Sequence, residues 1–210
     1  MRKVTFLIDG FNMYHSILSL KRKTGYSTKW LNLASLCTSY LHLFGKRAKL
    51  GSIQYFTAFP HYLQDAAKIN RQETYLKCLE AVGVKINLGR FKEKDAYCPH
   101  CKIMFLKHEE KETDVSIGVT LIEVFLKDSC DVAVLVTGDT DLSPAIEKSR
   151  VLFPKKMVIC AFPYARKNKE LAQLAPGSFS IGAKQYIKHQ FPNPFTLPTT
   201  GEKVAKPLRW

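Results

Sequence analysis

Nowhere in this 210-residue chain does an apolar run approach the roughly 18 to 20 residues that a membrane-spanning helix needs, so contact with a bilayer interior is not expected. The first apolar stretch, Val4 to Ile8, breaks at Asp9 too soon for a secretory signal and reads as a strand. Acidic residues are scarce: 18 Asp and Glu face 32 Lys and Arg, giving a formal net charge of +14 and a pI near 9.5. That deficit favours a polyanionic partner, nucleic acid before an anionic membrane surface. Six cysteines are too few for a dense disulfide framework in a chain of this length, and reduced thiols in a cytoplasmic setting are expected. No GxGxxG follows a strand and no GxSxG elbow occurs. These absences argue against a dinucleotide-dependent oxidoreductase and a Ser-His-Asp hydrolase.

What remains is an ordinary globular balance, 46% hydrophobic, enough to fill one core and not two. Val4–Ile8 and Val132–Val136 are short, almost wholly apolar and rich in β-branched residues, the pattern of strands covered on both faces of a parallel sheet. Strands are also expected at 52–59, 84–88 and 157–161. Helices are expected at 13–20, 29–44, 63–81, 114–127, 142–149 and 168–174, with Asn12 and Thr113 as N-caps. Strands alternating with helices predict a three-layer α/β/α sandwich around a mainly parallel sheet. The stretch at about 92–110 is polar and charged, and reads as an excursion from that sheet. Residues 183–210 carry Pro192, Pro194, Pro198 and Pro207, with five basic residues (Lys184, Lys188, Lys203, Lys206, Arg209) against Glu202. They read as a basic tail that either wraps the surface or moves freely.

The scarce acids are placed suggestively. Asp9 ends the first apolar strand, Asp139 and Asp141 follow the strand at 132–136, and Asp114 opens the helix before it. In an open parallel sheet, ligands bind at the carboxyl ends of the strands. If those two strands are neighbours, the carboxylates converge, and their repulsion calls for a divalent cation. Mg²⁺ or Mn²⁺, hard ions bound through oxygen with several waters retained, suit such a mouth. Taken singly, each Asp has a rival role as turn former or helix cap. Asn12 reads as a cap or as a group orienting water or phosphate, Thr137 and Ser143 as hydroxyl donors to a carboxylate or substrate. Lys111 and Glu112 hold at most an indirect electrostatic role.

Three segments carrying these residues, Phe6-Leu7-Ile8-Asp9-Gly10-Phe11-Asn12, Glu110-Lys111-Glu112-Thr113-Asp114-Val115 and Val136-Thr137-Gly138-Asp139-Thr140-Asp141-Leu142-Ser143-Pro144, resemble the signature blocks of the NYN domain family. This PIN-like group includes the LabA-like proteins, formerly DUF88, and the resemblance covers about residues 2–182. It implies a PIN-like, Rossmannoid fold and a metal-dependent ribonuclease site with Asp9, Asp114, Asp139 and Asp141 on the family's acidic positions and Asn12 beside them. Leu142 stands where an aromatic residue often follows in the family, a departure that leaves the carboxylates intact.

Cys98-Pro99-His100-Cys101 forms one CxxC half of a zinc knuckle, with no second CxxC to complete it. His108 is the best nearby third ligand, with His100 or Cys78 as alternatives and a second subunit as a source of the fourth; a redox dithiol or two metal-free thiols are the rival readings. The resemblance adds that LabA-like sequences often carry a CPxC-type insertion here. Basic clusters at 21–23, 46–49, 90–94, 155–156 and 166–169, with tyrosines and Trp30 interleaved, suit single-stranded RNA. The expected function is a metal-dependent endoribonuclease, with Ser143 and Asn12 aiding Asp9, Asp114, Asp139 and Asp141. A non-catalytic RNA-binding or scaffold protein and, more remotely, a repurposed oxidoreductase are the competing readings; a homodimer is compatible with each.

Overall fold

The chain begins by running its strands outward from the centre of one sheet. The computed structural model describes residues 2–208 and 210; Arg209, one of the tail's basic residues, lies outside them. Strand β1 (Lys3–Asp9) leads into α1 (Gly10–Thr24) and α2 (Leu33–Ser39), then β2 (Lys49–Thr57), α3 (Ala66–Ala81) and β3 (Val84–Leu88). An antiparallel hairpin, β4 (Arg90–Tyr97) and β5 (Met104–Lys111), interrupts the alternation before α4 (Thr113–Leu126) and β6 (Val132–Val136). α5 (Ser143–Leu152), β7 (Met157–Phe162), α6 (Lys169–Leu174), β8 (Gly177–Ser180) and α7 (Ala183–Lys188) follow, and the short strands β9 (Phe195–Thr196) and β10 (Lys203–Val204) pair in the tail.

Six strands form one sheet in the order β3-β2-β1-β6-β7-β8, every neighbouring pair parallel. The strand order reverses between β1 and β6, which lie side by side with Ile8 opposite Val136. Alternation then packs both faces of this one sheet. Val4, Phe6 and Ile8 join Val132, Val134 and Val136 on the face covered by α1, α2 and α3, whereas Leu7, Ala133 and Leu135 face α4, α5 and α6. The three-layer sandwich expected from the alternation of strands and helices is therefore the observed one, and a parallel sheet covered on both faces explains why β6 tolerates five consecutive apolar residues. β8 escaped the sequence reading: Gly177-Ser178-Phe179-Ser180 has too little apolar material to stand out, and an edge strand needs little.

Several element bounds differ from expectation for local reasons. α1 starts at Gly10 because Asp9, not Asn12, caps it: its carboxylate accepts from the amides of Phe11 and Asn12. The helix expected over 29–44 begins at Leu33, where Asn32 accepts from the Ser35 amide. The three residues before it are held by the C-terminal segment, with Phe191 N–H donating to Trp30 O and Asn32 N–H to His189 O. Leu31 and Gln190 form an isolated bridge. Asp65 caps α3, moving its start to Ala66. Thr113 is the first residue of α4 and not its cap; Glu112 occupies the cap position at φ 80°, a left-handed conformation costly for a residue with a Cβ.

The tail packs on the protein. Phe191, Phe195, Leu197 and Val204 belong to the larger core cluster, and the indole N–H of Trp30 donates to Pro192 O at 3.2 Å. Phe191 stacks edge-on to Trp30 at 5.6 Å and lies 4.6 Å from Phe195. Phe191→Ala should therefore cost about 3–5 kcal/mol, read as a lower urea midpoint. An unchanged midpoint would put the tail outside the cooperative unit.

Candidate functional site

Asp9 sits at the carboxyl end of β1 with 3% of its surface exposed. Burying a carboxylate is costly unless donors answer it, and here four do. One oxygen accepts from the Phe11 and Asn12 amides, both at 3.0 Å; the other accepts from Asn12 Nδ2 at 2.6 Å and Thr137 Oγ1 at 2.8 Å. A carboxylate has about four acceptor positions, so Asp9 is fully engaged. Thr137 Oγ1 also accepts from the Asp139 amide at 3.1 Å, which places Asp139 two hydrogen bonds from Asp9. Asn12 closes the arrangement from the other side, its Oδ1 accepting from Gly138 N–H at 3.1 Å.

Two glycines permit this contact between strand ends. A Cβ on Gly10 would lie 2.4 Å from the Phe56 carbonyl oxygen, and one on Gly138 would lie 2.2 Å from that of Arg166. Both are required by close backbone approach. The turn-forming role of Asp9-Gly10 weighed from sequence is thus secondary to helix capping by the Asp and packing by the Gly.

The other three acids surround this floor. Asp139 caps the 3₁₀ turn Thr140–Leu142 by accepting from the Asp141 amide at 3.1 Å, while Asp141 is exposed. Asp114, in the first turn of α4, is half-buried, and its carboxyl is pushed up to about 6 by burial first and then by the negative charges of Asp9, Asp139, Glu110 and Asp141. Asp9 is also shifted upward, chiefly by burial, with a contribution from Asp139. The acids expected to converge do share one electrostatic neighbourhood. Among the described residues, none of these four has a Lys, Arg or His partner within 4 Å. They stop short of a finished cage, however. Among the described residues, no three His, Cys, Asp or Glu side chains assemble as a metal-ligand group. The donor set still fits a hard cation that keeps most of its waters, because such an ion needs only one or two carboxylates beside substrate phosphate.

Glu110 was not assigned a role from sequence; it joins the cluster because its carboxylate accepts from both the amide and the hydroxyl of Thr113 at the start of α4. Lys111 and Glu112 turn outward, pairing with Glu109 and Arg90. Asn12 is a brace with both ends of its amide committed, and Thr137 is committed likewise. Ser143 Oγ, by contrast, is buried with no hydrogen-bond partner among the described residues. His15 was also passed over. Its imidazole is shifted downward by burial and Arg166, against the pull of Asp9, so it lies within electrostatic reach of the floor. The legible signal was its i+3 spacing from Asn12 along one helix face.

The zinc set does not form within the chain. Cys98 and Cys101 lie in the hairpin turn, while His108 pairs with Glu93 on the strands and stacks on Tyr62 at 4.0 Å. Four residues of strand separate His108 from Met104 at the turn, roughly 13 Å of extended chain, so the sequence spacing of seven misleads. His100 stays in the turn itself, and Cys78 is fully buried in α3. The Cys98 thiol is nevertheless shifted downward, by the Cys101 amide first and then by the Cys101 side chain and the His100 amide.

The parallel sheet, its reversal of strand order and the acidic rim at that reversal define the PIN-like, Rossmannoid class. The NYN domain model matches residues 3–181, and the chain belongs to the NYN domain family. Among solved structures, the fold is similar to that of a protein of unknown function from Vibrio parahaemolyticus. The TM-score is 0.58 at 18% identity, covering 86% of this chain and 93% of that one. No curated protein matches. No helix among the described residues is long and apolar enough to cross a membrane.

Two predictions follow from these environments. A carboxyl held above its ordinary 3.8 binds its proton more firmly folded than unfolded, so stability falls as pH rises from about 4 to about 6. Asp114→Asn should thus raise stability at pH 7 by on the order of 1 kcal/mol, after discounting for a half-exposed group. Melting curves should show a gain of about 2–4 °C at pH 7 that disappears below pH 4; a loss at pH 7 would contradict the repulsion. Separately, Cys98 and Cys101 should be alkylated quickly in the native protein while the buried Cys37, Cys78, Cys130 and Cys160 wait for unfolding. Mass spectrometry finding a third thiol labelled equally fast would refute that.

Proposed function

We propose that this chain is a divalent-metal-dependent endoribonuclease acting on single-stranded RNA. The observation that carries the reading is the gathering of acids around the half-buried Asp114, whose carboxyl is raised by burial first and then by Asp9, Asp139, Glu110 and Asp141; among the described residues none of these acids is paired with a Lys, Arg or His. Asp114, Asp139 and Asp141 are the carboxylates with oxygens to spare for Mg²⁺ or Mn²⁺. Asp9, saturated by its own donors, supplies fixed negative charge beneath them. When bound, such a cation supplies an acidified water and offsets charge on the leaving oxygen. One of these acids accepts the proton of the attacking water, and the half-buried Asp114 at the start of α4 is the candidate. Ser143 offers the uncommitted hydroxyl for positioning, whereas Asn12 and Thr137 hold the strand ends together. The surplus of basic residues draws the RNA backbone without reading its sequence.

A second reading is favoured by one observation, the lack of a ready-made three-ligand metal group among the described residues: an RNA-binding protein on this fold that does not cleave. The two separate in one assay on an unstructured fluorescent RNA, run with Mn²⁺ and with EDTA. The nuclease reading expects Mn²⁺-dependent cleavage that falls by about 100-fold or more in Asp114→Asn and Asp139→Asn, with circular dichroism unchanged. Variants that cut as fast as the parent would remove the assignment. Tight, salt-sensitive binding without cleavage under any divalent ion would establish the binding protein instead.

A further inference from the structure

Beside the acidic rim, and sharing the α1 start that follows Asp9, lies a cavity of about 360 Å³ whose wall includes Gly10 and Phe11. Its chemistry is opposite to that of the rim. Among the described residues no Asp or Glu lines it, and Lys29, Lys68 and Arg71 do. Lys29 is held below its usual range by burial first and then by the positive charges of Lys21, Arg71 and Lys68. Among the described residues, neither Lys29 nor Lys68 has a carboxylate within 4 Å, and Arg71 meets only Asp65, at 3.9 Å. Three like charges with only Asp65 to offset one of them leave a place where an anion is favoured.

Aromatic rings share the remaining walls with aliphatic side chains such as Met13, Ile17 and Leu76. Tyr62 and Phe91 meet at 4.9 Å, Phe91 and Phe11 at 5.7 Å, and on the far side Tyr75 meets Trp210 at 5.2 Å. The Lys29 ammonium lies over the Tyr14 ring, 5.6 Å from its centre. The hairpin delivers Phe91 and the C-terminal segment delivers Trp210, so each wall joins a sandwich helix, α1 through Phe11 or α3 through Tyr75, to a segment outside the sandwich. Ring faces beside clustered cations match a ligand with a flat aromatic part and an anionic part, and a volume of a few hundred Å³ is that of a small-molecule site. Base–aromatic stacking and phosphate–cation pairing are the two components of single-strand recognition.

We propose that this cavity binds one nucleotide, its base between the aromatic walls and its phosphate on Lys29, Lys68 and Arg71. This rests on the nuclease reading only for the origin of the ligand: the nucleotide is then one unit of the RNA strand whose backbone crosses the acidic rim, unstacked next to the scissile bond. A free mononucleotide presents the same chemistry, and the test distinguishes the two sources.

The experiment is titration of the full chain, in EDTA, with adenosine 5′-monophosphate, a six-nucleotide single-stranded RNA and inorganic phosphate, followed by indole fluorescence. Trp210 lines the cavity and Trp30 lies 5.9 Å from it, so a stacked base quenches them. The mononucleotide should bind saturably and the RNA at least tenfold tighter. Lys29→Met with Lys68→Ala should weaken both at least tenfold, and Tyr62→Ala should weaken both with the melting temperature unchanged. RNA no tighter than the mononucleotide would make the cavity a free-nucleotide site and overturn the strand assignment. Phosphate alone binding as tightly as the nucleotide, or cavity variants binding like the parent, would overturn the proposal. The nuclease reading fails independently: binding that persists while the parent shows no metal-dependent cleavage removes catalysis and leaves the nucleotide site standing.

Discussion

The hydroxyl of Thr137 holds the two central strands at the point where function is concentrated. It donates to the buried carboxylate of Asp9 and accepts from the amide of Asp139, so the end of β1 and the loop after β6 cannot separate without taking one of its four donors from that carboxylate. An ion buried without its donors is among the costlier defects a fold can carry. Asn12 adds a second tie across the same gap, from Asp9 to the Gly138 amide. Everything that approaches this junction is shaped by it: glycine at 10 and 138, a helix that starts immediately after Asp9, and Asp139 turned to the rim.

The consequence is a division of labour among the acids. Those with full hydrogen-bond complements build the junction; those without, Asp114 above all, carry the unrelieved charge. Such charge is destabilising in the empty protein and is a common mark of a site whose ligand supplies the missing counter-charge. The neighbouring cavity has the complementary imbalance, cations without acids. A polyanion bearing aromatic bases and accompanied by a metal ion would relieve both at once, which unites the acidic rim, the aromatic cavity and the basic surplus of the chain.

Much of this was visible in the residue order. Val132–Val136 reads as a buried strand because five apolar residues in succession suit only a sheet covered on both sides, and Asp9 and Asp139 were found as acids at strand ends. The resemblance of three short blocks to the NYN family pointed to the same residues. Other roles were hidden because they depend on partners distant in the chain. Asn12 reads equally as cap or ligand until Gly138 is brought to it. Trp30 and Leu31 read as helix until the tail claims their backbone groups, and His108 reads as a zinc ligand until strand pairing carries it away from the cysteines. Arg71 and Lys68 are ordinary helix surface until Lys29, from another segment, is set beside them.

The residue order by itself determined the layered α/β architecture, the acids at the strand ends and the cationic excess, because periodicity, chain composition and strand termini are local properties of sequence. Only the tertiary structure decided which acids are satisfied and which are not, how the tail is used, and that cations and aromatic rings from segments far apart in the chain line one cavity. Burial, hydrogen-bond partnership and electrostatic neighbourhood are relations between residues far apart in the chain, and folding is what creates them.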